Sequence, residues 1–123
     1  MIGELKLIML VVRDMGRSVR FYRDVIGLKL MFETPGWAQL DAGNIQLGLH
    51  PESERLKTKP SEGCSFGFYV KDIQQTVNDL RAKGATVTME PKKEEFGMLA
   101  LVADPDGYTV QLFQESAKAG DWK

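Results

Sequence analysis

The feature that most constrains the fold of this chain is an internal repeat. The stretches "LVVRDMGRSVRFYRDVIG" and "FYVKDIQQTVNDLRAKG" align with a constant offset of 58 residues. The matched pairs are Val12 with Val70, Asp14 with Asp72, Ser18 with Thr76, Val19 with Val77 and Arg23 with Arg81 and, one deletion later, Gly27 with Gly84. Self-similarity of this kind indicates two copies of one supersecondary unit.

Each copy opens with a predicted strand and a predicted helix. The strands are Leu5 to Val12 and Phe66 to Val70, which are rich in β-branched, aliphatic and aromatic residues. Asp14 and Asp72 then stand where a helix N-cap belongs, because an aspartate oxygen accepts a free backbone N–H. The apolar stripes of the two helices are Val19, Tyr22 and Ile26, then Ile73, Val77 and Leu80. Gly27 and Gly84 are predicted to end the helices, where glycine adopts the left-handed conformation without strain.

Three short β runs follow each predicted helix. They are 28–33, 37–41 and 45–50 in the first copy and 86–90, 98–103 and 108–114 in the second. Each copy is therefore predicted to be a βαβββ unit. We expect one domain over residues 1–123, with units at 4–50 and 64–115, a polar linker at 51–63 and a tail at 116–123. Trp122 in the tail is either frayed or docked on a partner chain.

Composition, charge and the N-terminal stretch argue against nucleic-acid binding, a signal peptide and a membrane span. The net charge is −1, with 43% hydrophobic and 27% charged residues and no run of like charges. Because phosphate neutralisation needs clustered Lys and Arg, nucleic-acid binding is disfavoured. The start "MIGELKLIML" is too short an apolar run for a signal peptide or a membrane span, and Cys64 has no intrachain partner for a disulfide. A cytoplasmic protein is expected.

Two motifs resemble those of a known superfamily. "V-x-D…S-V-x-F-Y-x-D-x-x-G-L" in the first copy and "D-P-D-G-x-x-x-x-L" near the end are similar to those of the vicinal oxygen chelate superfamily. Its members include glyoxalase I, extradiol dioxygenases and the bleomycin- and fosfomycin-resistance proteins. The match runs from about Leu5 to Gln114. The resemblance implies an α+β fold with an eight-stranded, funnel-like curled mixed sheet and outer helices. Two units, either within one chain or exchanged between two chains, complete this sheet, and a homodimer is expected because dimers are usual in the superfamily.

The resemblance also implies where a metal would be held. Metal-dependent members place four ligands, typically His or Glu, on the first and last strands of each unit. The matching positions in this chain are Leu7, Gln46, Ser65 and Gln111. Divalent cations prefer imidazole nitrogen or anionic oxygen, and this set supplies neither. No metal is therefore expected at these positions, and no other cofactor is predicted.

Strand alternation extends the predicted pocket beyond these four positions. The predicted lining is Leu7, Met9 and Val11; Gln46, Gly48 and His50; Ser65, Gly67 and Tyr69; and Gln111 and Phe113. An apolar and aromatic cleft with a few polar groups is typical of a small-molecule site. Periodicity alone would equally place the two glutamines on a solvated face, and the family alignment favours the cavity. The two glycines either leave room for a ligand or only relieve crowding and curl the sheet.

Several single residues admit two interpretations. His50 is either a general base or, more in keeping with its place before Pro51, an exposed or packing residue. Trp37 either covers a flat ligand or belongs to the core. Cys64 has no neighbour that would activate it as a thiol, and Glu94 and Glu95 lie in a charged stretch typical of solvated surface.

Two functional classes follow from the resemblance. The first is a metal-free module that binds or sequesters a partly apolar compound, as the bleomycin-resistance branch does, with antibiotic resistance as one role. The second is a glyoxalase- or dioxygenase-type enzyme that uses a metal at other positions or acid/base residues such as His50. The absence of family ligands favours the first.

Overall fold

The computed structural model describes residues 2–116, and Trp122, expected to be either frayed or docked on a partner chain, lies outside them. Eight strands form two four-stranded mixed sheets, ordered β1-β4-β3-β2 and β5-β8-β7-β6. The strands are β1 Leu7–Val12, β2 Lys29–Thr34, β3 Trp37–Asp41, β4 Gln46–Pro51, β5 Phe66–Tyr69, β6 Thr86–Glu94, β7 Gly97–Ala103 and β8 Thr109–Glu115. The helices are α1 Met15–Arg20, continued by a π-helix Phe21–Val25, and α2 Ile73–Ala82. The predicted α+β class with two βαβββ units is confirmed, with the eight strands divided between two four-stranded sheets.

The two sheets have the same connectivity. In each, the first strand pairs in parallel with the last, and the last pairs antiparallel with the strand before it. The remaining strand, β2 or β6, forms an edge. The first strand and last strand of each unit are therefore neighbours, so residues distant in sequence lie side by side.

The predicted helix boundaries are confirmed by hydrogen bonds. The Asp14 side chain accepts the backbone N–H of Arg17 at 3.0 Å, and the Asp72 side chain accepts that of Gln75 at 3.1 Å. Gly27 and Gly84 have φ angles of 96° and 92°. Both glycines thus adopt the left-handed conformation that ends a helix.

One face of each sheet is buried beside its helix. In the first unit α1 lies against β4, and in the second α2 lies against β6, β7 and β8. The buried strand residues are Leu10, Val12, Ala38, Leu40, Leu47 and Leu49 in the first sheet, and Ala100, Val102, Val110 and Leu112 in the second. The helices contribute Val19, Phe21 and Tyr22, and Ile73, Val77 and Leu80. Because strand side chains alternate between faces, the intervening residues lie on the opposite, open face of each sheet.

Most strand bounds agree with the prediction to within one residue, although β1 begins at Leu7 rather than Leu5, and two elements differ more. The first helix changes to a π-helix at Phe21, with the N–H of Ile26 donating to the carbonyl of Phe21 at 2.9 Å. Helical spacing did not predict this wider turn. Strand β6 extends to Glu94 rather than Glu90, with an irregular register between Met89 and Lys92. Pro91 lies in this irregular stretch, as expected for a proline on an edge strand.

The "DPDG" motif builds the turn before β8. The Asp104 side chain is buried, and its Oδ1 accepts the backbone N–H groups of Asp106 and Tyr108, each at 2.9 Å. Gly107 has a φ of 95°. The motif thus has a structural role, since it sets the start of the strand that carries Gln111.

The chain divides into two compact units, with the boundary between Lys59 and Pro60. This boundary falls inside the predicted linker 51–63, although Pro51 is the last residue of β4. Cys64 is exposed and is a free thiol. Within residues 2–116, no helix is long and apolar enough to cross a membrane.

Replacement of the α2 N-cap provides a test of the helix assignment. Asp72→Ala removes the acceptor for the Gln75 N–H and should lower the free energy of unfolding by about 1 kcal/mol. Asp72→Asn keeps an acceptor oxygen and should cost much less. Urea denaturation of both variants measures the difference. Equal losses in the two variants would contradict a capping role.

Glu52 makes the stability of the first unit depend on pH. Its carboxylate accepts the backbone N–H of Thr58 at 2.9 Å, and this hydrogen bond lowers the pKa of Glu52 in the folded chain. The unfolded pKa of a glutamate is about 4.3. The stabilisation is therefore fully present above that value and is lost as the pH falls through the lower folded pKa.

Glu52→Gln should accordingly destabilise the protein at neutral pH and converge with the wild type in acid. The measurement is the free energy of unfolding of both proteins from pH 7 down to about pH 2. Glu54→Gln, a change at a neighbouring exposed carboxylate, is the matched control. A difference between wild type and Glu52→Gln that grows on acidification would contradict the assigned hydrogen bond.

Candidate functional site

The open face of the first sheet carries the residues predicted to line a pocket in that unit. In the β1/β4 register Leu7 lies beside Gln46, Met9 beside Gly48 and Val11 beside His50. Leu7 and Met9 are 48% and 42% exposed, whereas Leu10 and Val12 on the other face are buried. The sheet thus brings the predicted residues of this unit together on one face.

Trp37 lies directly over Gly48. A Cβ atom built on Gly48 would lie 2.2 Å from the Cζ2 atom of the Trp37 indole, which no real contact permits. The space that a glycine leaves at this position is therefore filled by Trp37. The ring is half-buried, and its centroid is 6.4 Å from that of His50, at an interplanar angle of 75°.

A chain of hydrogen bonds crosses the same face. Trp37 Nε1 donates to Gln39 Oε1 at 3.1 Å, and Gln39 Nε2 donates to Gln46 Oε1 at 3.4 Å. Gln46 Nε2 in turn donates to Asp41 Oδ1 at 3.3 Å, and the Gly43 backbone N–H donates to the same oxygen at 2.9 Å. We call Trp37, Gln39, Gln46 and Asp41 the polar relay.

His50 lies at the end of this face. Its Nδ1 is 2.6 Å from the Pro51 carbonyl oxygen, and since a carbonyl only accepts, Nδ1 carries the proton in the neutral ring. Nε2 is then the basic nitrogen. A cleft of about 490 Å³ in the first unit is lined by His50, Ser53, Arg55 and Leu56.

The open face of the second sheet is more apolar. Tyr69 lies beside Phe113 in the β5/β8 register, with ring centroids 5.8 Å apart, and Tyr69 is 66% exposed. On β7, Leu99 pairs with Phe113 and Leu101 with Gln111. The second unit therefore presents aromatic and aliphatic groups where the first presents its polar relay.

Gln111 and Ser65 are joined on this second face. Gln111 Nε2 donates to Ser65 Oγ at 2.6 Å. Gly67, the register partner of Gln111, has no room for a side chain, since a Cβ built there would lie 2.8 Å from the Gln111 Cβ. Glu94 and Glu95 are exposed beside a separate cleft of about 150 Å³ at the β6–β7 turn.

The four positions matched to metal ligands do not suit a divalent cation. Leu7 offers no donor atom, and Gln46, Ser65 and Gln111 are neutral groups already engaged in hydrogen bonds. Among residues 2–116, no three His, Cys, Asp or Glu side chains are grouped so that they could hold a metal ion. The donor chemistry at these positions therefore disagrees with that of the metal-dependent members.

Several residues of the open faces were missed by the sequence analysis. On β3, Gln39 and Asp41 lie on the same face of the sheet as Trp37, and on β7 the equivalent positions are Leu99 and Leu101. Strand alternation, applied to the third strand of each unit as well as to the first and last, would have identified them.

The fold and these motifs define a family. The family model of the Glyoxalase/Bleomycin resistance protein/Dioxygenase superfamily matches residues 4–112 of this chain. The chain therefore belongs to this superfamily.

Its curated relatives are named as lyases. The chain is 32% identical to a probable lactoylglutathione lyase of Synechocystis, over 89% of this chain and 94% of the relative. It is also 32% identical to lactoylglutathione lyase GLX1 of Arabidopsis thaliana, over 84% of this chain. The alignment spans only 41% of that plant protein.

Solved structures share the fold. TnmS3, an antibiotic binding protein from Streptomyces, superposes with a TM-score of 0.78 at 24% identity, covering 94% of this chain and 98% of TnmS3. A glyoxalase-related enzyme from Fulvimarina pelagi gives a TM-score of 0.81 at 18% identity, covering 93% and 89%. At these identities the likeness establishes the fold alone.

Gly48→Ala tests the contact between the indole and the strand. The added methyl group must displace the Trp37 ring, which should cost about 1–3 kcal/mol of stability and shift the Trp37 emission maximum. The measurement is tryptophan fluorescence and urea denaturation in a Trp122→Phe background, which leaves Trp37 as the only tryptophan. Gly36→Ala, where the added Cβ meets nothing within 4 Å, is the control. Unchanged emission in Gly48→Ala would contradict the placement of the ring.

Proposed function

We propose that this protein binds or sequesters a partly apolar, aromatic small molecule without a metal at the aligned ligand positions. The observation that carries the proposal is the chemistry of Leu7, Gln46, Ser65 and Gln111. A leucine, two amides and a hydroxyl give no anionic or imidazole donor, and they suit hydrogen bonding and packing.

The open faces of the sheets provide the proposed contacts. They combine exposed apolar and aromatic side chains with a few polar groups, which is typical of small-molecule sites. The proposed ligand-contacting residues are Leu7, Met9, Trp37, Gln46, Gly48 and His50 in the first unit, and Ser65, Gly67, Tyr69, Gln111 and Phe113 in the second. Gly48 acts through Trp37, whose ring it accommodates.

The second candidate is an enzyme of the kind after which the curated relatives are named, lactoylglutathione lyase. It is favoured by their 32% identity to this chain. Such chemistry would need a metal at non-aligned positions or an acid/base group such as His50, whose Nε2 is the basic nitrogen of the neutral ring. The neutral ligand positions make binding the better-supported function.

Further assignments rest on the resemblance. We propose a cytoplasmic homodimer with antibiotics among the ligand classes to be screened, since one structural relative is described as an antibiotic binding protein. Light scattering on the purified protein measures the assembly directly. A monomer at micromolar concentration would contradict the dimer without affecting the binding proposal.

Trp37→Ala tests the binding function. Calorimetric titration with 2-naphthamide, a neutral two-ring probe, should show binding to the wild type that weakens roughly tenfold in Trp37→Ala. Trp37→Phe keeps an aromatic face and should retain most of the affinity, and Trp122→Phe is the matched control.

The lyase alternative is assayed in parallel by measuring lactoylglutathione with and without added divalent metal. Turnover that His50→Ala abolishes, with no binding of the probe, would favour the enzyme.

A further inference from the structure

We propose that Asp41 is the positioning and specificity-determining residue of the first sheet's open face. It fixes the orientation of the Gln46 and Gln39 amides, and its charge selects neutral or cationic ligands over carboxylate-bearing ones. The ligand preference rests on the proposed binding function, whereas the orientation of the amides is a property of the free protein.

The two ends of the polar relay allow only one direction of hydrogen bonding. The indole N–H of Trp37 can only donate, and the Asp41 carboxylate can only accept. Gln39 Oε1 accepts from Trp37 at 3.1 Å, so its Nε2 is left to donate to Gln46 at 3.4 Å. Gln46 then directs its own Nε2 to Asp41 at 3.3 Å. Both amides, which could otherwise flip, therefore have a single consistent orientation.

Asp41 is itself held in place by the β3–β4 turn. The Gly43 backbone N–H donates to Asp41 Oδ1 at 2.9 Å, and Gly43 has a φ of 102°. Asp41 also pairs with Gln46 in the strand register. A hydrogen-bonded turn thus presents a carboxylate at the end of the face that carries the half-buried Gln46.

The second sheet lacks this arrangement. Leu101 is the register partner of Gln111, as Asp41 is of Gln46, and Gln111 bonds instead to the Ser65 hydroxyl. A hydroxyl both donates and accepts, so Ser65 brings no charge to this face and does not determine the orientation of the Gln111 amide. The two glutamines at matching places in the two units therefore differ in what orients them.

The charge on Asp41 gives the face a preference among ligands. At distances of several ångströms in a partly buried site, repulsion between two like charges is worth roughly tenfold in affinity or more. Lys29 is the register partner of Asp41 on β2, but it is exposed and, within residues 2–116, forms no ion pair with Asp41, so solvent screening weakens its offset of the repulsion. A ligand with a free carboxylate is disfavoured, and one that donates N–H or O–H groups is favoured.

The orientation of the relay is tested without a ligand, by NMR of the Trp37 indole and of the Gln39 and Gln46 side-chain amides. Asp41→Ala removes the final acceptor and should shift these resonances and speed hydrogen exchange of the indole. Asp41→Asn keeps an oxygen for Gln46 and Gly43 and should restore them. Ser65→Ala is the matched control and should move only the Gln111 amide. Unchanged relay resonances in Asp41→Ala would overturn the positioning role.

The ligand preference is tested with two isosteric probes, 2-naphthamide and 2-naphthoate. By calorimetry the wild type should bind the neutral amide roughly tenfold more tightly than the anion, and Asp41→Asn should reduce this ratio to within about threefold. Equal affinities in the wild type, or a ratio that survives Asp41→Asn, would overturn the charge selection. If neither probe binds, the proposed function and the ligand preference both fail, while the NMR result still decides the role of Asp41 in the free protein.

Discussion

The packing of one helix on one face of each sheet is the constraint on which the other features depend. Apolar residues such as Val12 and Leu49 are buried on the helix side of the first sheet. Since neighbouring residues on a strand point to opposite sides, Met9, Gly48 and His50 are thereby directed to the open face. Any one-residue shift of register would exchange the two sets. The core therefore determines which side chains are available to a ligand.

At the last-strand position matched to a metal ligand, each unit carries a glutamine. In the first unit the glutamine at this place is bonded to Gln39 and Asp41, and in the second it is bonded to Ser65. Each amide thus makes its described side-chain hydrogen bonds within its own unit. The chain has the superfamily fold, and neutral side chains stand at the positions matched to the family's metal ligands. The same repeat has produced a polar face in one unit and a more apolar face in the other.

Local signals in the sequence predicted much of the fold. Neighbouring residues determine the N-caps at Asp14 and Asp72 and the positive-φ glycines at 27 and 84. The internal repeat places each of these pairs at matching positions in the two units. The π-helix after Arg20 was not predicted, because apolar spacing does not distinguish it from an α-helix. The indole of Trp37 over Gly48 was also missed, since it depends on a side-chain conformation and on a contact between strands. The relay through Asp41 depends in the same way on the β3–β4 register.

Calorimetric titration with divalent metals is the measurement that tests the central claim most directly. Protein stripped with chelator and then dialysed is titrated with Zn²⁺, Ni²⁺, Mn²⁺ and Fe²⁺ separately, and its metal content as purified without chelator is measured alongside. If neutral side chains have replaced the metal ligands, no cation should bind stoichiometrically at micromolar concentration. Tight binding of one ion per chain would contradict this account and restore metal-dependent chemistry at other residues.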